Sequence, residues 1–508
     1  MSSTLRVVVV GAGFGGIAAA IELQRHGIRD VTILEASPDG IGGTWLANTY
    51  PGAACDVPSH LYSYSFAQRR DWARLCSPQP EILEYARGVA AEHGVDRLVV
   101  AGAEVSACAW DDAARAWRVD AADSRSWEAD AVVLATGQLR RPAVPALPGA
   151  EDFAGHVFHS ARWDHDHDLR DRRVAVIGTG ASAVQLIPEI APLVSRLVVF
   201  QRTGNWFLPR VNRPYPTWWK AAIERLPGLQ ACRRTFLYHY GETLTAMIKH
   251  PKTLGLVGRA RSSLFMRGQL RGHPELRRKV WPDYVFGCKR VLFSSAFLPA
   301  LARDNVELVT DRIARVEAQG VVDDQGVHHD VDTIIYATGF KTTSFMFPMA
   351  VTGRGGVALE AAWAGGASAH LGMTVPGFPS MFIMYGPNTN TSGGSILVYL
   401  EAQARYLRQA LQRVEAAGGA AIEVRAAAAA ASDADTQARF AGTAWTGCDS
   451  WYRDGEGRIV TNWPGYMREY EAATATLDPA EYDVVPRAGG GGLADLQGVG
   501  EPGGDARA

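Results

Sequence analysis

Two glycine-rich turns, at residues 11–16 (GAGFGG) and 178–183 (GTGASA), each come directly after a run of β-branched residues, LRVVVV at 5–10 and RVAVI at Arg173–Ile177. Near-continuous apolar runs of this kind mark strands buried on both faces of a parallel sheet. A helix-forming segment opens after each turn, so the strand-turn-helix unit occurs twice. Glycines there let the chain turn tightly and bring backbone N–H groups to a pyrophosphate at the positive end of a helix. The predicted fold class is α/β, with two Rossmann-like dinucleotide-binding domains. Two such sites in one chain imply electron transfer between two cofactors.

The two units differ at the C-terminal end of their second strand. In the first, VTIL at 31–34 ends in Glu35, about 20 positions beyond the turn, where a carboxylate binds a ribose. Gly11, Gly13, Gly16 and Glu35 therefore form one candidate site. In the second, LVVF at 197–200 runs into Gln201-Arg202-Thr203 with no acid. A carboxylate would repel a 2'-phosphate, whereas Arg and Thr bind one. Gly178, Gly180, Ser182, Ala183, Arg202 and Thr203 thus point to NADP rather than NAD, with a solvated Arg202 as the alternative.

Between and beyond these units the chain carries several informative stretches. Residues 42–56 (GGTWLANTYPGAACD) are too rich in Gly, Pro and small polar residues for regular structure and read as a long loop. Thr44 can meet a flavin through its backbone, and Trp45 is either a cofactor contact or a buried plug. Asp56 needs a cationic or hydrogen-bonding partner among its small neighbours. AVVLATG at 131–137 is a further buried strand, with a proline-rich connection after it, and residues 206–284 read as a mostly helical insertion. VDTIIYATGF at 331–340 is a second returning strand, and MFIMYGPNTNTSGG at 381–394 leads to a helix from about Ser395. The first domain is therefore discontinuous. The expected division is 1–150 and 341–486 for the first nucleotide domain, 151–172 as a linker, 173–205 and 285–340 for the second domain, and a glycine-rich disordered tail at 487–508.

Composition narrows the partners. The 51 basic and 53 acidic side chains leave a formal charge of -2, so no polyanion, nucleic acid or acidic membrane surface is called for. No apolar run is long enough to span a membrane. The six cysteines are scattered without a C-x-x-C pair or a metal-ligand cluster, which fits free thiols in a reducing, cytoplasmic setting and no bound metal. A disulfide reductase would need a redox-active cysteine pair, and none has that spacing.

With these residues in view, the chain resembles the type I Baeyer-Villiger monooxygenases, NADPH-dependent flavoproteins that carry FAD. Phe153, Gly155, His159, Trp163 and Asp164 match that family's F-x-G-x-x-x-H-x-x-x-W-[PD] pattern, and Gly43, Trp45, Tyr50, Pro51, Gly52 and Asp56 match a second one. The resemblance covers about 1–465. It implies oxygen insertion from O2 beside a ketone carbonyl, giving an ester or lactone through a flavin peroxide; S- or N-oxygenation in the same fold is the alternative. It further implies that Asp56 orients Arg290, that Arg290 stabilises the peroxide, and that Lys289, Arg202 and Thr203 hold the 2'-phosphate. Tyr62 joins Thr44 and Trp45 in the flavin site. His159 would couple domain movement to nicotinamide position, and Trp451 would belong to a mobile loop at 450–465 closing over NADP.

Overall fold

Buried valines and isoleucines build two parallel five-stranded sheets in the computed structural model, which describes residues 3–487. The first runs in the order Met381–Ile383, Ala131–Leu134, Arg6–Val10, Asp30–Glu35, Val99–Ala101. Its edge strand comes from far downstream and pairs in parallel with Ala131–Leu134. The helix Phe14–Arg25 begins at the first turn and packs against the long helix Ile396–Ala416, whose Ser395 accepts the Leu397 N–H as its N-cap. A mainly antiparallel four-stranded sheet, Ala350–Thr352, Val105–Asp111, Ala116–Ala121 and Ser126–Ala129, covers the other face.

The second sheet runs Val306–Val309, Arg196–Phe200, Arg173–Ile177, Thr333–Tyr336, His156–His159. Here the fold departs from the expected linker: His156–His159 is an edge strand paired in parallel with Thr333–Tyr336. Four residues are too few to show a period, and the extended state comes from the neighbouring strand's unpaired edge. The buried Phe158 adds to this, packing edge-on to Trp163 with ring centroids 5.1 Å apart. A second departure lies in the 42–56 loop, where Thr44–Ala47 forms one helical turn directly after Gly43.

Helices Thr217–Arg225, Leu229–Lys249, Leu254–Gln269 and Pro274–Val280 make up the insertion. No helix among the described residues is long and apolar enough to cross a membrane. Except for Arg487, the expected disordered tail lies outside the described residues.

The turn glycines are explained by contact. A Cβ on Gly16 would stand 2.0 Å from the Gly11 carbonyl oxygen, so only glycine lets the helix start this close to the strand.

The cysteines require a correction. Cys288 and Cys448 form a disulfide across 160 positions of sequence; Cys55, Cys76 and Cys108 are buried free thiols and Cys232 is exposed. Sequence spacing held no sign of the pair, because the two residues meet only when the end of the insertion folds against the C-terminal loop. Thiol titration of the unfolded, unreduced protein is therefore expected to count four groups, rising to six after reduction. Six groups before reduction would disprove the pairing.

Candidate active site

One continuous cavity of about 2830 Å³ runs between the two nucleotide units and the insertion. Its walls bring together Gly11, Gly13, Glu35, Thr44, Trp45, Asp56 and Tyr62 from the first unit with Gly178, Gly180, Ser182, Arg202, Thr203, Lys289 and Arg290 from the second, and Trp451 from the C-terminal loop.

At the first turn, the Glu35 carboxylate accepts the Ala12 N–H at 2.8 Å and the Ser37 N–H at 2.9 Å. This fixes an acid at the rim of the glycine cradle. Deeper in, the Trp45 indole N–H donates to the Tyr62 hydroxyl at 3.1 Å, and both rings face the cavity. Trp45 thus belongs to the cavity lining.

At the second turn, Lys289 Nζ donates to the Thr203 hydroxyl at 3.2 Å and lies over the Tyr284 ring at 4.9 Å. Burial, then the neighbouring Arg202 cation, hold the Lys289 pKa below its ordinary value. Neither cation has a carboxylate within 4.0 Å among the described residues, an arrangement that can accept a dianion.

The centre of the cavity holds an ion pair between the units. One Arg290 nitrogen lies 2.7 and 2.6 Å from the two Asp56 oxygens. The Asp56 charge raises the Arg290 pKa further, so the guanidinium stays charged. Its side chain retains 45% exposure because it faces the cavity, while Asp56 keeps only 16%. Tyr385 and Tyr452 stand near the same guanidinium; burial raises both phenols, Tyr452 to about 12, while the Arg290 cation pulls the other way. Both are neutral donors at the working pH.

Sequence reasoning missed Tyr385, Tyr452 and Gln185. Gln185 sits on the second unit's helix Ala181–Ile190 and reaches into the first unit's loop. Its carbonyl oxygen accepts from the Tyr50 hydroxyl at 2.9 Å, and its amide donates to the Ala54 carbonyl, also at 2.9 Å. Gly52, at φ +80, lies where a Cβ would stand 2.7 Å from the backbone carbonyl oxygen of Gln185. The Tyr50-Pro51-Gly52 segment is therefore a docking surface between units that also carries Asp56 to Arg290. Asp56 itself was found from its isolation, but a lone glutamine in a helix carries no comparable signal.

Three expected cofactor residues do not face the cavity. Gly16 and Ala183 are packing positions behind their turns. His159 is buried beside the second returning turn: its Nδ1 accepts the Ala161 N–H at 3.0 Å, and its ring meets Phe340 edge-on. Burial lowers its pKa, so the ring is neutral. Trp451 does face the cavity, 42% exposed, with its carbonyl accepting from the Thr342 hydroxyl at 3.3 Å.

A flavoprotein with two dinucleotide sites and a fixed cation between them is the class that fold and site define. Comparison with known proteins agrees. The pyridine nucleotide-disulphide oxidoreductase model matches residues 5–230. A Baeyer-Villiger monooxygenase of Streptomyces coelicolor is 42% identical over 95% of this chain and 93% of its own, and one of Pseudomonas aeruginosa 38% identical over 94% and 91%. Among solved structures, a closed cyclohexanone monooxygenase superposes with TM-score 0.84 at 29% identity, covering 96% of this chain and all of that one. A steroid monooxygenase bound to NADP gives 0.83 at 29%, covering 95% and 99%. The chain belongs to the Baeyer-Villiger monooxygenase family. It is an NADPH-dependent flavoprotein monooxygenase with FAD as its prosthetic group.

If Lys289 takes the 2'-phosphate, its deprotonation removes a charge from that contact. Because its pKa is lowered, kcat/KM for NADPH is expected to fall on the alkaline side at a pH below the usual lysine value of about 10.4. The same profile with NADH, which lacks the 2'-phosphate, should stay flat there, and Lys289→Arg should remove the fall. Parallel profiles for the two nucleotides would exclude Lys289 from phosphate binding.

Proposed function

We propose that the enzyme converts a ketone to an ester or lactone, with NADPH and O2 as co-substrates, at the Asp56–Arg290 pair. The observation that carries this reading is that a permanently charged guanidinium, held by a carboxylate of the other unit, faces the cavity into which both nucleotide sites open. When bound, FAD supplies the redox chemistry, taking a hydride from NADPH and activating O2.

The protein's part is electrostatic. Asp56 takes both its hydrogen bonds from a single Arg290 nitrogen, which leaves the rest of the fork without a protein acceptor among the described residues. Those donors stabilise negative charge as it develops on the substrate carbonyl oxygen. Asp56 also offsets the cost of keeping the cation in a partly desolvated site. The Tyr385 hydroxyl, fixed by donation to Asn390 at 2.8 Å, helps to shape the same wall.

In this reading residues 1–150 and 341–486 bind FAD, and residues 173–205 and 285–340 bind NADP. His156–His159 extends the NADP sheet, and residues 450–465 close over the nucleotide. Thr44, Trp45 and Tyr62 line the flavin side, and Arg202, Thr203 and Lys289 take the 2'-phosphate. We place the enzyme in the cytoplasm, where NADPH is supplied.

Arg290→Ala is expected to lower ester formation on the order of 100- to 1000-fold. Purified yellow protein should still show NADPH-dependent bleaching of the flavin, with a sulfide run beside the ketone to separate oxygenation types. Ester formation at the wild-type rate in that variant would exclude the assigned role.

A further inference from the structure

The near-neutral total conceals a segregation of charge. Residues 206–284 carry fifteen Lys and Arg against four Asp and Glu, a net +11 in a chain whose total is -2. More than half of the large apolar side chains that stand exposed among the described residues lie in this same segment, which is less than a sixth of the chain. Basic and apolar side chains exposed together call for a partner that is both anionic and apolar.

The two properties converge on the helix Leu254–Gln269. From 243 to 274 the sequence holds no acid. Lys249 pairs with Glu469. Lys252, Arg259, Arg261, Arg267 and Arg271 have no carboxylate within 4.0 Å among the described residues. The helix buries Gly255, Gly258, Ser262 and Met266 and turns Leu254, Val257 and Leu264 outward, at 45%, 58% and 76% exposure, with Arg261 between them. Spacings of three, four and three residues set these four on one stripe. Exposed Phe236 and Tyr240 stack on the neighbouring helix and, with Gly258 and Arg261, line the cavity mouth.

We propose that this face docks on the surface of an anionic lipid bilayer, with Leu254, Val257 and Leu264 in the headgroup region and the surrounding cations on lipid phosphates. A basic helix with an exposed aliphatic stripe has the composition of an interfacial anchor. A second copy of the chain would bring two strongly positive faces together. An RNA strand would match the charge but leave the aliphatic stripe unused. Docking sets the cavity mouth against the lipid, so an apolar ketone can enter from the bilayer; that last step rests on the proposed function, whereas docking does not.

The test is flotation of the yellow holoenzyme with phosphatidylcholine vesicles and with vesicles that also contain phosphatidylglycerol. Binding is expected only to the anionic vesicles and should weaken as salt screens the cations. Each exposed cation near such a surface contributes roughly five-fold, so Lys252→Gln with Arg271→Gln should lower affinity roughly 25-fold. Leu264→Asp should also release the protein while turnover of a small water-soluble ketone stays unchanged. Four results would each overturn the docking: no binding to anionic vesicles, equal binding to neutral ones, equal affinity for a short single-stranded RNA, or a dimer in light scattering that Leu264→Asp dissociates. Vesicle binding without ester formation would leave docking standing and sink only the proposed function.

Discussion

A carboxylate from one nucleotide unit holding a guanidinium from the other is the contact that makes two separate folds into one site. Neither partner is placed by its own unit alone. Asp56 reaches the cavity because Tyr50 and Gly52 seat its loop on the helix Ala181–Ile190, and Arg290 reaches it from the strand-and-turn segment just after the insertion. Breaking a partly buried pair of this kind leaves an uncompensated charge, which generally costs several kcal/mol. The pair therefore ties the two units to one arrangement at this point of the cavity wall.

Much of this was readable from sequence where the signal is local. Strand, glycine turn and helix lie in adjacent residues, and the Gly16 contact with the Gly11 carbonyl shows why no larger side chain can replace it. Glu35 ends the second strand of the first unit where the second unit has the uncharged Gln201, with Arg202 next to it, so a difference between the two nucleotide sites could be read locally. What escaped depends on residues far apart in the chain. The bond between Cys288 and Cys448 has no spacing rule, Gln185 is an ordinary helix residue until Tyr50 docks on it, and His156–His159 becomes a strand only because Thr333–Tyr336 leaves an edge to pair with. His159 was misplaced for a related reason. Its motif fixes its position in the chain, but its imidazole is claimed by the Ala161 N–H and the Phe340 ring, so it supports a cavity wall from behind.

Three consecutive residues show how the pieces are kept in step. Cys288 is bonded to Cys448 at the root of the loop carrying Trp451 and Tyr452, Lys289 meets Thr203 in the second unit, and Arg290 meets Asp56 in the first. A displacement of this tripeptide thus moves the loop, the Lys289–Thr203 contact and the Asp56–Arg290 pair together. The tripeptide lies in a bend just before the strand Leu292–Phe293, and in the proposed reading this one short segment serves the 2'-phosphate through Lys289 and the substrate carbonyl oxygen through Arg290. The separation also has an electrostatic reason. In the proposed reading Asp56 keeps Arg290 away from the 2'-phosphate, and a single monovalent partner leaves the other guanidinium donors available where charge would develop during the reaction.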